Sequence, residues 1–141
     1  MSLTNVQLDR HCRARVPSYQ GSFSKDRLPS RRRLGFYIIN LQDNLAGEGT
    51  HWVLLQVKAN SNWYFDSYGA PPPIAVRSFT TGPLYYSDGI VQGLASDNCG
   101  RFCADVMQQL NSGLTLERII RGFTASADAN DRAVVRQWNR L

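Results

Sequence analysis

The apolar residues of this chain change their period partway along, and that change limits the fold more than any other feature. Leu34-Gly35-Phe36-Tyr37-Ile38-Ile39-Asn40-Leu41 is rich in β-formers, and His51 to Val57 (His-Trp-Val-Leu-Leu-Gln-Val) is a second such run. Trp63 to Asp66 makes a third. The Asn60-Ser61-Asn62 turn before it predicts a hairpin with Trp52–Val57. Later the spacing becomes three and four: Cys99, Phe102, Cys103, Val106, Met107 and Leu110 fall on one face of a helix. Strands followed by helices predict an α+β layout.

The punctuation agrees. Gln42 to Thr50 reads as a loop, and Pro71-Pro72-Pro73 stops sheet pairing because three residues there lack an N–H. One further short strand is expected within Pro83 to Val91. Asn111-Ser112-Gly113 ends the helix that begins at Cys99, Gly113 standing at a C′ site. Thr115 to Phe123 is a weaker helix. Asp128 or Ser126 caps a last one, with Val134, Trp138 and Leu141 as its buried stripe. There is no internal repeat, and 141 residues suit one domain spanning 1–141.

The formal charge is +5, from 16 basic and 11 acidic residues. It is concentrated at one end: Arg10, Arg13, Arg15, Lys25, Arg27, Arg31, Arg32 and Arg33 face only Asp9 and Asp26 between Arg10 and Arg33 and just before. Residues 1–33 therefore read as a basic, weakly periodic segment that wraps the domain or frays. Arginine forks match phosphate geometry, so Arg31, Arg32 and Arg33 are candidate contacts for a nucleic acid or other polyanion. The plainer reading is a solvated basic face, since no aromatic-interleaved binding motif accompanies the arginines. The apolar runs Phe36–Ile39 and Trp52–Leu55 are far too short to cross a membrane. No basic-then-apolar leader opens the chain, and three cysteines is an odd number. The expectation is reduced thiols in an intracellular compartment.

One of those thiols sits where chemistry is favoured. Cys99 follows a loop and opens the predicted helix, where the positive end of the macrodipole stabilises a thiolate. Gly100 beside it would let a substrate approach the backbone closely. A nucleophilic thiol needs a base, and the base needs an orienting group. The chain holds two histidines, His11 and His51. The predicted hairpin brings His51, at the start of one strand, beside Asp66, at the end of the next. Cys103, one turn after Cys99, reads as packing, and Cys12 as incidental. No CxxC or HxxxH pair supports a metal site.

The joint pattern resembles the adenovirus-type maturation cysteine proteases (adenain) and the SUMO-specific proteases of the same clan. His51-Trp52 is similar to the family's His-Trp pair opening a strand. Trp63-Tyr64-Phe65-Asp66-Ser67-Tyr68-Gly69 is similar to its acid-bearing strand. Gln92 with Cys99 seven positions later resembles the oxyanion glutamine and the nucleophile. Cys99-Gly100-Arg101-Phe102-Cys103 resembles the family's Cys-Gly-x-Phe-Cys. The resemblance covers about Gly47 to Met107. It implies a small, mostly antiparallel sheet packed against the helix that carries the nucleophile. It implies Cys99 as nucleophile, His51 as general base and then acid, and Asp66 as orienter. The Gln92 amide and the Cys99 backbone N–H would form the oxyanion hole. Trp52 would line or shield the cleft, though it reads equally well as a core aromatic on a central strand.

The implied substrate is a protein or peptide with a small P1 residue, usually Gly. That fits either viral capsid or precursor processing, in a host nucleus or virion, or removal of SUMO or ubiquitin. No resident cofactor is implied. Adenain is stimulated by DNA and by a peptide bonded to a cysteine upstream of the glutamine. No cysteine lies between His51 and Gln92, so a disulfide-linked activator is not supported, whereas the arginine-rich segment is compatible with DNA. A rival of another class is a basic nucleic-acid-binding or assembly protein that keeps the fold without using the thiol. The intact set His51, Asp66, Gln92 and Cys99 argues against it.

Overall fold

The computed structural model describes residues 3–42, 51–93 and 96–140. Helix α1 (Asn5–Arg15) leads into strand β1 (Tyr19–Ser24) and a 3-10 turn over Lys25–Arg27. Strands β2 (Gly35–Asn40), β3 (Trp52–Val57) and β4 (Asn62–Phe65) follow, then helix α2 (Ile74–Phe79) and strand β5 (Leu84–Tyr86). Helices α3 (Cys99–Asn111), α4 (Leu116–Gly122) and α5 (Ala127–Trp138) complete the order.

The strands form one sheet in sequence order, β1-β2-β3-β4-β5. Its centre is antiparallel, β2 with β3 and β3 with β4, while both edge strands pair parallel. The predicted hairpin is present: Leu54 faces Phe65, Val57 faces Asn62, and Lys58 N–H donates to the Ser61 carbonyl at 3.0 Å. The strict alternation of β2 and β3 divides their side chains between two apolar layers. Phe36, Ile38 and Leu54 face a core shared with Leu8, Phe102, Val106 and Met107. Tyr37, Ile39, Val53 and Leu55 face a second core closed by Val76 of α2. With both faces covered, all six residues of β2 are buried. Burying a side chain such as Phe102 or Leu54 contributes about 1.5–3 kcal/mol, so the seating of α3 on β3 is firmly held.

The N-terminal segment departs from the sequence expectation. Residues 1–33 do not form an irregular arm where the structure describes them, because α1 and β1 lie within them. Leu8 and Cys12, one turn apart on α1, are fully buried against α3. With only that narrow stripe among arginines, α1 carries little hydrophobic periodicity. Its readable signal is a capping box: Thr4 Oγ1 accepts from Gln7 N–H at 3.2 Å, and Gln7 Oε1 accepts from Thr4 N–H at 2.9 Å. Helix α2 was likewise not foreseen behind Pro71-Pro72-Pro73, although Pro73 serves as its N-cap. On α5 the cap is Ser126, whose hydroxyl accepts from Ala129 N–H at 3.2 Å, rather than Asp128. Val134 is buried and Trp138 partly so, whereas Leu141 and most of the predicted loop 42–50 lie outside the described residues.

Candidate active site

The hairpin and α3 bring three predicted residues together. His51 immediately precedes β3, and Asp66 immediately follows β4. The antiparallel register therefore delivers both to one end of the sheet. His51 Nε2 lies 2.8 Å from Asp66 Oδ1. Asp66 is almost completely enclosed, its side chain 2% exposed against 22% for His51. The same Oδ1 accepts the Tyr68 N–H at 2.8 Å, an Asx turn that fixes the carboxylate. Gly69 closes that turn with φ +74°. A Cβ there would fall 2.4 Å from the Asp88 carbonyl oxygen. The glycine of the Asp-Ser-Tyr-Gly run is therefore required by backbone shape.

Cys99 is the first residue of α3 and 4% exposed. The Trp52 backbone N–H donates to its Sγ at 3.4 Å, while Cys103 Sγ donates to the Trp52 carbonyl at 3.4 Å. One residue of β3, through its backbone N–H and carbonyl, thus seats both sulfurs of α3, which explains their four-residue spacing. Burial alone lowers the basicity of His51. Hydrogen bonds to Asp66 and Cys99, and the charges of those two groups, outweigh it and raise the imidazole from 6.5 to about 9. With Nε2 engaged by Asp66, Nδ1 is the nitrogen left to exchange a proton with sulfur. The other two thiols are held protonated. Burial, helped by the Asp9 charge, pushes Cys12 up to about 12, and burial with the Cys99 charge pushes Cys103 well above the ordinary thiol range.

Gln92 is buried at 1% exposure, with its side chain turned onto its own loop. Its Oε1 accepts from the Ser67 hydroxyl. Its Nε2 donates to the Ser96 carbonyl at 3.0 Å and to Ser96 Oγ at 3.2 Å, which engages both amide hydrogens. An oxyanion role for this amide therefore requires a rotation that releases Ser96. Two expected cleft residues belong elsewhere. The Trp52 side chain is 8% exposed within the core, and its backbone N–H donates to the nucleophile. Gly100 faces α1 rather than a substrate: a Cβ there would sit 3.2 Å from Leu8 Cδ2, so the glycine allows α1 to pack close to α3. Arg31, Arg32 and Arg33 are exposed on the stretch entering β2. Arg32 donates to Thr81 Oγ1, and the Arg33 backbone is clasped by the Tyr37 hydroxyl at 2.7 and 2.8 Å.

Tyr68 was not singled out from the sequence. Its ring stacks on His51 with centroids 5.0 Å apart and 29° between planes. Its place beside Asp66 in the Trp63–Gly69 run was the available signal.

A thiol at a helix N-terminus, an imidazole beside it and a carboxylate behind the imidazole can generate a thiolate and shuttle a proton. The framework that presents them is mixed α+β, one five-stranded sheet with helices against it. Two solved structures of ASFV pS273R protease share it. One superposes with TM-score 0.69 over 99% of this chain and 68% of its own, at 16% identity. The other, a selenomethionine form, gives TM-score 0.53 over 75% of this chain and 44% of its own, at 18% identity. This chain therefore spans roughly half to two-thirds of the length of those proteins. The sequence matches no family model and no curated protein.

Proposed function

We propose that this protein is a cysteine endopeptidase of the viral maturation type, acting through Cys99, His51 and Asp66. The observation that carries the reading is the convergence of three separate elements on one point. The 2.8 Å His51–Asp66 contact and the interaction of Cys99 with His51 support a series of thiol, base and orienter. In the first step Cys99 Sγ attacks the scissile carbonyl carbon as a thiolate, with His51 holding the proton. The tetrahedral adduct collapses, the C–N bond breaks, and His51 gives the proton to the leaving amine. Water, deprotonated by His51, then cleaves the thioester and restores the thiol. Asp66 holds the imidazole in one tautomer and stabilises its cationic form throughout. Donors at the α3 N-terminus, with Gln92 once released from Ser96, stabilise the oxyanion.

The substrate class we propose is a peptide segment with Gly at P1. The exposed Arg31, Arg32 and Arg33 supply a nucleic-acid contact on the same chain. The test is cleavage of a fluorogenic peptide amide with Gly at P1 by wild type and Cys99→Ala. Wild type is expected to cleave it and the variant to be inactive with an unchanged circular-dichroism spectrum. Activity retained in Cys99→Ala overturns the assignment.

A further inference from the structure

The segment that joins Gln92 to Cys99 is tied down from outside, by a residue some thirty positions further along the chain. Asp131 on α5 takes hydrogen bonds on both carboxylate oxygens. Gly93 N–H donates to Oδ2 at 3.1 Å, while the Ser96 hydroxyl and Asn98 Nδ2 donate to Oδ1, the latter at 3.1 Å. Glycine at 93 gives the carboxylate room, since a Cβ there would lie 3.3 Å from Asp131 Oδ2. The neighbouring Asn130 holds the start of the same segment, donating to the Val91 carbonyl at 3.1 Å.

The consequence runs through Ser96. A hydroxyl has one proton, and here it goes to Asp131. Ser96 Oγ must then act as an acceptor towards its other neighbours, which are Gln92 Nε2 at 3.2 Å and Asn98 N–H at 3.1 Å. Asp131 thereby fixes which way round the Gln92 amide stands: Nε2 towards Ser96, Oε1 towards the Ser67 hydroxyl. It also governs the residue before the nucleophile. Asn98 is the N-cap of α3 by position, yet its side chain caps nothing. Its Nδ2 is drawn to Asp131, and its Oδ1 accepts from Arg101 Nη1 at 3.0 Å. The α3 N-terminus beside Cys99 is thus not covered by the side chain that ordinarily closes such an end.

We propose that Asp131 is a positioning residue for the site. Its carboxylate holds Gly93, Ser96 and Asn98 and, through Ser96 and Asn98, the orientation of the oxyanion donors. The proposal rests on the cysteine-protease reading of Cys99 and Gln92. Asp131 makes no hydrogen bond to His51 or Asp66, so its loss affects the stabilisation of the adduct and leaves the ionisation of the thiol intact. That separates it from a residue that merely supports the fold.

The experiment uses the full chain carrying Asp131→Asn, with Ser96→Ala as a second variant that interrupts the relay without touching α5. Three readouts are taken: amide hydrogen exchange, the rate of Cys99 alkylation by iodoacetamide, and kcat and KM on a fluorogenic amide with Gly at P1. In Asp131→Asn the Gly93 and Asn98 amides are expected to exchange at least about tenfold faster, with the interior of α3 unchanged. Both variants are expected to change kcat by about tenfold or more with KM within about threefold, the pattern of altered oxyanion stabilisation. Cys99 alkylation stays at the wild-type rate. Unchanged exchange at Gly93 and Asn98 overturns the tether, whether or not the wild type cleaves peptide. Unchanged kcat against an active wild type overturns the positioning role. Parallel loss of alkylation, α3 protection and kcat reduces Asp131 to a structural residue and also overturns it. A wild type that cleaves nothing contradicts the protease reading, a result separable from all of these.

Discussion

Replacing Asp66 by Asn removes one negative charge and little else, because an amide oxygen can still accept from His51 Nε2 and from the Tyr68 N–H. In the wild type His51 is raised from 6.5 to about 9 against the opposing effect of burial. At about 1.4 kcal/mol per pH unit, that is on the order of 3 kcal/mol in favour of the imidazolium. A hydrogen bond to a charged partner is about twice as strong as a neutral one, so the charge carries a large share of this. His51 must be protonated to release the leaving amine, so its deprotonation sets the alkaline limb of kcat/KM. That limb is expected near pH 9 in the wild type. In Asp66→Asn it is expected about one to two pH units lower, a shift of roughly 1.4–2.7 kcal/mol. The assay is kcat/KM from mildly acid to strongly alkaline pH on the Gly-P1 peptide, with His51 titrated independently by NMR. Stability must follow the same sign. A group whose folded value is raised stabilises fully below 6.5 and loses that stabilisation as pH rises through about 9. Urea unfolding of the wild type should weaken across that window, and of the variant much less. An alkaline limb that stays where it was in Asp66→Asn refutes the argument that this carboxylate tunes the base.

Other perturbations follow from the same geometry. Gly69→Ala forces a Cβ to 2.4 Å from the Asp88 carbonyl oxygen at φ +74°, and urea unfolding should show a loss of at least about 2 kcal/mol with reduced activity. His11 stacks on Trp138 with centroids 3.5 Å apart, and burial together with the Arg15 charge lowers it to about 4. The neutral form stabilises the fold above 6.5, and that contribution is lost as pH falls towards 4, so His11→Phe should flatten the acid side of the stability curve. If Arg31, Arg32 and Arg33 each contact a phosphate, replacing all three by Ala should reduce the slope of log K against log salt for duplex DNA by about 2.7. An unchanged slope removes them from any nucleic-acid interface.

What the sequence disclosed, and what it hid, divides along physical lines. The β2, β3 and β4 segments were legible because strands covered on both faces read as runs of β-formers, and the α3 face because its buried positions repeat at the helix period. The meeting of His51 and Asp66 was legible because a hairpin turn fixes register locally. Helix α1 was missed because Leu8 and Cys12 form too thin a stripe for periodicity, although the Thr4–Gln7 capping box was there to read. Gly100 was given to the substrate because a glycine after a nucleophile invites that reading, whereas its neighbour Leu8 lies on a helix more than ninety residues away. The Asp131 tether had no local signal at all: an acid on the exposed-looking side of α5 acquires its role only when the chain folds back on Gly93 and Ser96.

The central claim is that Cys99 is a nucleophile activated by His51. Its most direct test is the pH dependence of iodoacetamide alkylation in the native protein, site by site by mass spectrometry, in wild type and His51→Ala. Cys99 is expected to be alkylated faster than Cys12 and Cys103 in the native protein and to lose that advantage without His51. Cys12 and Cys103, held protonated in the core, should stay inert until the chain unfolds. A Cys99 alkylated at the same rate with and without His51 contradicts the account.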